Sequence, residues 1–130
     1  MSTSVRPYQV LHHAFPFIML DAVYDVDPGT RGKGRKTITA DEFLVRNAYY
    51  PACLILEAAA QLSGIVSGRE QGGFLAGMKD IVFRKQVSAG DMVEFRSIQN
   101  GTFGGLYSFT VQAFCGSELV MEGELYLALA

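Results

Sequence analysis

The sequence predicts an α+β protein in which an antiparallel sheet wraps around one central helix. Three observations predict it. One segment alone, Pro51 to Ser67, reads as a long helix. The runs after it alternate apolar and polar residues at period two, the mark of antiparallel strands with one buried face. The helix is apolar nearly all round, so protein should cover it on most sides.

The elements follow in order. Phe17 to Val26 is rich in aliphatic and aromatic residues and reads as a strand. Asp27-Pro28-Gly29-Thr30 has turn chemistry, and Gly34 to Thr39 returns as a second strand. Arg31, Lys33, Arg35 and Lys36, spread among glycines, read as a solvated hairpin tip. Pro51 opens the helix where its missing N–H costs nothing, Ala and Leu fill its body, and Gly68 is suited to end it. Four strand-like runs follow. Phe74 to Lys85 ends before the turn Ser88-Ala89-Gly90-Asp91, and Met92 to Gln99 ends at Asn100-Gly101, a strong hairpin signal. Tyr107, Phe109, Val111, Ala113 and Cys115 form one alternating row; Leu119, Met121, Leu125, Leu127 and Leu129 form the other. Two strands, a helix and four strands describe the hotdog fold, expected as one domain over residues 1–130.

Composition narrows the function. Hydrophobic residues make up 49% of the 130 residues and mean hydropathy is +0.19, so apolar surface should be hidden in an oligomer interface or line a ligand site. A net charge of −2 argues against nucleic acid or an anionic membrane as partner. Two cysteines form no disulfide framework, and no metal-ligand spacing exists, so neither metal nor cofactor is expected. No apolar run reaches membrane length. Met1 to Tyr8 is polar, so no signal peptide is expected and the cytoplasm is the default location.

Glu57 is the most informative residue. It sits mid-helix among apolar neighbours, where a carboxylate must find partners. Gln61 lies one turn on, and its amide could hold the carboxylate in one rotamer, as a general acid or base requires. Against this stands a structural role for Glu57 at a solvent gap or partner chain. The N–H groups of Ala52 and Cys53, at the positive end of the helix, could polarise a thioester carbonyl; water or a loop carbonyl could equally cap them. Cys53 is expected to be a small buried residue rather than a nucleophile, since no histidine lies near it in sequence. Tyr49 and Tyr50 precede the helix and could line the site or plug it. Arg84 and Lys85 read as solvated charges at a strand end, or as contacts for an acidic carrier protein. His12 and His13 read as a structural or surface pair.

Several segments resemble the β-hydroxyacyl-acyl-carrier-protein dehydratases. They are Leu11-His-His-Ala-Phe-Pro-Phe-Ile-Met-Leu-Asp21, Pro51-Ala-Cys-Leu-Ile-Leu-Glu57-Ala-Ala-Ala-Gln61, Phe74-Leu-Ala-Gly-Met78 and Phe83-Arg-Lys-Gln-Val-Ser-Ala-Gly-Asp91. The resemblance implies that Glu57 is the catalytic carboxylate and Gln61 its supporting amide. The N–H groups after Pro51 would hold the thioester carbonyl. The implied substrate is an acyl thioester on acyl-carrier protein or coenzyme A. The implied assembly is a homodimer or higher homo-oligomer, or a heteromer with a paralogue. One departure stands out. The family's catalytic histidine lies in a Gly-His-Phe-Pro segment ahead of the helix, whereas Glu42 to Tyr50 contains none. An ungapped alignment places Phe43 there; a shortened loop places Asn47 near it, beside Tyr50. Hotdog thioesterases, which need no such histidine, and a non-catalytic dehydratase-like partner subunit are the two alternatives.

Overall fold

A computed structural model describes residues 3–5, 19–39, 49–68 and 73–129. Seven strands form one antiparallel sheet. In sheet order they are β1 (Thr3–Val5), β2 (Ala22–Asp27), β3 (Arg31–Thr37), β7 (Met92–Phe103), β8 (Leu106–Cys115), β9 (Glu118–Leu129) and β5 (Gly73–Phe83). Two short strands, β4 (Tyr49–Tyr50) and β6 (Val87–Ser88), pair separately. Helix α1 (Ala52–Val66) lies on the inner face of the sheet, against β7 above all. This is the α+β arrangement that the alternation predicts.

The inward rows are Val93, Phe95 and Ser97 of β7, Phe109, Val111 and Ala113 of β8, and Met121, Leu125 and Leu127 of β9, all buried. Ile55, Ala58, Ala59, Leu62 and Val66 face them from α1. Each large side chain fully removed from water contributes about 1.5–3 kcal/mol. A polar contact crosses this core: the Ser63 and Ser97 hydroxyls lie 2.7 Å apart, and Ser63 also donates to the Ala59 carbonyl at 2.9 Å.

Several boundaries differ from the sequence expectation, each for a physical reason. Asn100-Gly101 is not the hairpin turn. β7 runs on to Phe103, with a bulge between Gln99 and Gly101, and turns at Gly104-Gly105. Both turn glycines have positive φ, +55° and +84°, which suits the twist of a two-residue hairpin. Arg31 to Lys36 is not a hairpin tip but lies within β3, where Lys33 faces Asp25 at 4.0 Å and Lys36 faces Asp21 at 3.7 Å. Helix coverage is also less than expected: one side is buried, while Leu54, Leu56, Glu57, Ala60, Gly64 and Ile65 are only half-buried and Cys53 is exposed.

The β8–β9 register shifts between Ala113 and Phe114. As a result Val120, adjoining Met121, is buried as well, and Leu119 is only half-buried. A second irregularity lies in β5 between Lys79 and Val82, where Asp80 has φ +55°. A Cβ on Gly123 would meet the Asp80 carbonyl oxygen at 3.0 Å and the Ile81 Cα at 2.8 Å, so only glycine fits beneath this bulge.

Candidate active site

Pro51 precedes α1 with an extended ψ of 135°, and no side chain caps the helix start. The first turn carries no acidic residue, so the N–H groups of Ala52 and Cys53 keep the positive helix end without a countercharge of their own turn. Tyr49 and Tyr50 reach this point through β4, which pairs with Val87 and Ser88 of β6. The β6 turn is closed by Asp91, whose carboxylate accepts from the Ser88 N–H at 2.9 Å.

A cleft of about 510 Å³ opens beside the helix start. Tyr49, Tyr50, Ala52, Ile55, Val120 and the segment Phe83 to Val87 line it. Val120 is a lining residue that alternation alone misses; the unbroken apolar run Leu119-Val120-Met121 was the signal for it. Arg84 and Lys85 stand at the rim already paired, Arg84 Nε with Glu122 at 2.8 Å and Lys85 Nζ with Glu118 at 2.8 Å. The bond to Glu118 raises the Lys85 pKa. An acidic partner would have to displace carboxylates that these cations already hold.

Glu57 and Gln61 lie on another face of α1 and do not line this cleft. They do meet each other: Gln61 Nε2 donates to Glu57 Oε1 at 3.3 Å. Gln61 is 3% exposed, and its Oε1 accepts from the Met19 main-chain N–H at 2.9 Å. Tyr50, buried next to the helix start, directs its hydroxyl at the Met19 sulfur, 3.6 Å away. Cys53 stands one turn before Glu57 on the same face. It is exposed there, not buried as the sequence suggests. The structure therefore brings Glu57, Gln61 and Cys53 to one side, and Tyr50 and Ala52 to the cleft. Asn47, Phe43, His12 and His13 lie outside the described residues. Among the described residues no group of His, Cys, Asp or Glu could hold a metal ion, and no helix is long and apolar enough to cross a membrane.

A family model for the FabA-like domain matches residues 11–124. The chain belongs to the FabA-like family. Similar family members include a 3-hydroxyacyl-(acyl-carrier-protein) dehydratase of Syntrophotalea carbinolica, 30% identical over 94% of this chain and 90% of that protein. Another, from Moorella thermoacetica, is 33% identical over 92% and 91%. The FabA-like fold extends to solved structures. The dehydratase heterocomplex ApeI:P from Xenorhabdus doucetiae superposes with a TM-score of 0.86 at 18% identity, covering 97% of this chain and 91% of that one. A hypothetical thioesterase from Streptococcus pneumoniae, solved with coenzyme A, superposes at 0.66 with 10% identity, covering 79% and 80%.

Proposed function

We propose that this FabA-like chain is a single hotdog domain that binds 3-hydroxyacyl thioesters on acyl-carrier protein or coenzyme A and removes water from them, with Glu57 as its acid–base group. The observation that carries this reading is the Gln61 amide donating to Glu57 on a helix whose start has no side-chain cap. In elimination, Glu57 takes the α-proton, and the electrons move onto the thioester carbonyl. The N–H groups of Ala52 and Cys53 are suited to receive that oxyanion. Collapse forms the Cα–Cβ double bond and expels the β-hydroxyl, which takes the proton from Glu57 and leaves as water. One carboxyl thus serves both steps, which suits a chain whose only histidines are His12 and His13. The surroundings expected are the cytoplasm and fatty-acid or polyketide-type metabolism.

A second reading has this chain as the dehydratase-like partner of a paralogue that carries a histidine. The likeness to a dehydratase heterocomplex favours it. So does surface suited to a second chain, namely the half-buried side of α1 and the β5 strand at one end of the sheet, with Phe74 68% and Met78 52% exposed. A homodimer would cover the same surface. The test incubates the protein with 3-hydroxyacyl and saturated acyl thioesters, on coenzyme A and on acyl-carrier protein, beside Glu57→Gln, and follows products by mass spectrometry. Water loss that the substitution abolishes supports the dehydratase. Release of free acid identifies a thioesterase instead. No turnover without an added paralogue points to the partner role.

A further inference from the structure

The outer face of the sheet, turned away from α1, takes no part in the proposed chemistry, yet its charges are patterned. Directly opposed residues on neighbouring strands share a face, so the strand register gives this surface row by row. One row runs Asp27, Arg31, Ile98, Thr110, Glu124 and Lys79 across β2, β3, β7, β8, β9 and β5. Reversed end for end, the row sets every charge against its opposite: Asp27 against Lys79, and Arg31 against Glu124. The next row behaves alike, with Lys33 and Arg96 of β3 and β7 mirrored by Glu122 and Gln112 of β9 and β8. The hairpin tip adds an apolar pair, Phe103 of β7 opposite Leu106 of β8, 86% and 38% exposed. Ile98, near the midline of the face, is 49% exposed. Among the described residues neither Arg31 nor Glu124 belongs to an ion pair.

We infer that a second copy of this chain docks back to back on the outer face, related by a two-fold axis parallel to the strands and midway between β7 and β8. Such an axis lays β3 over the second copy's β9, and β7 over its β8. Arg31 then faces the second copy's Glu124, Lys33 its Glu122, Asp27 its Lys79 and Phe103 its Leu106, and each contact occurs twice. Packed sheets stand about 10 Å apart with strand directions within about 30°, an offset that Arg, Lys and Glu side chains span. Strands of 10 residues, as in β8, taken four abreast at about 4.8 Å, give on the order of 600 Å² of flat area per copy. With the relief of its side chains, such a face approaches the about 800 Å² per partner of a stable interface. Phe103, Leu106 and Ile98 supply the apolar contact, while the exposed ion pairs, each of small energy, fix the register. A foreign protein would have to match the mirrored charges by coincidence, whereas a second copy carries the match in its own rows. This face is separate from the β5 edge and the half-buried side of α1, so both contacts can form in one particle. The inference does not rest on the reaction proposed for Glu57.

Light scattering on the full chain at low salt, across a dilution series, tests this. Arg31→Glu sets like charge against Glu124 across the interface, and Glu124→Lys does the same against Arg31. Each alone should raise the dissociation constant of this contact on the order of 10²-fold and halve the particle mass at intermediate dilution. Both substitutions in one chain, or the two single variants mixed in equal amounts, bring opposite charges together again and should restore the mass. Recovery on mixing is a result that misfolded variants cannot give. Phe103→Asp should also halve the mass, by removing the apolar contact at the tip. An unaltered protein with the mass of one chain throughout the series overturns the inference. So does a mass that none of these substitutions lowers, because the copies would then meet elsewhere. Loss of mass in both charge variants without recovery on mixing overturns the two-fold arrangement.

Discussion

The face of α1 that carries Ile55, Ala59, Leu62 and Val66 is held by shape, whereas on the face that carries Glu57 and Gln61 hydrogen bonds run from the Met19 N–H to the Gln61 carbonyl oxygen and from the Gln61 amide to the Glu57 carboxylate. On the first face many contacts share the energy, and each is replaceable by another apolar group of similar volume. On the second, a main-chain N–H orients an amide that donates to a carboxylate, and such directional contacts tolerate little change of chemistry. Stability should therefore be spread across the first face and chemistry concentrated on the second.

Substitutions can break that division. The largest effect expected is on turnover: Glu57→Gln should lower kcat on the order of 10³-fold, while thermal unfolding shows stability changed by less than about 1 kcal/mol. A large loss of stability would mean that Glu57 belongs to the structural face after all. Next comes Leu62→Ala, fully buried against the sheet, which should cost about 2–5 kcal/mol in denaturant titration. Remaining turnover at temperatures where the variant is folded should be near normal. Smaller again is Ser63→Ala, which strands the buried Ser97 hydroxyl and should cost about 1–3 kcal/mol. The double variant with Ser97→Ala should be less destabilised than the sum of the two, and strict additivity would rule out the hydroxyl pair as a coupled unit.

The smallest effect is a pH dependence on the outer face of the sheet, far from both helix faces. Burial, then the hydrogen bond to Glu94, pushes the Tyr24 pKa from 10.0 to about 12. Burial alone would raise the Glu94 pKa, but hydrogen bonds from Arg96 and Tyr24 outweigh it and leave the carboxyl below its ordinary value. The two limbs have opposite sign. Tyr24 holds its proton more tightly when folded, so its contribution is complete below pH 10 and is lost as pH rises towards about 12. Glu94 holds its proton less tightly when folded, so its contribution is present above the ordinary carboxyl value and is lost as pH falls through the lower folded one. Tyr24→Phe should flatten the alkaline limb and shrink the acid limb, read from unfolding midpoints across pH. Turnover at neutral pH should not change.

Much of this was legible in one dimension. Period-two alternation in β8 identified Phe109, Val111 and Ala113 as the inward row, and helical spacing put Gln61 beside Glu57. Such patterns are local, so the sequence carries them directly. The errors fell where a bulge or a turn redirects the chain. Asn100-Gly101 carries a turn signal, yet the strand passes through it because the cross-strand ladder continues to Phe103 and Leu106. Leu119 was expected inward, but the shifted register buries Val120 and brings it to the cleft.

The sequence by itself determined the family, the antiparallel sheet around one helix, and the pairing of a mid-helix carboxylate with an amide one turn away. Each depends on residues close together in the chain. Only the tertiary structure decided that the cleft opens beside Ala52 and Ile55 rather than beside Glu57. It alone also decided that Gln61 is turned with its nitrogen towards the carboxylate. The partner that sets that direction, the Met19 N–H, lies 42 residues away and is a main-chain group. Every residue but proline carries such a donor, so no side-chain pattern could reveal which one would meet the amide.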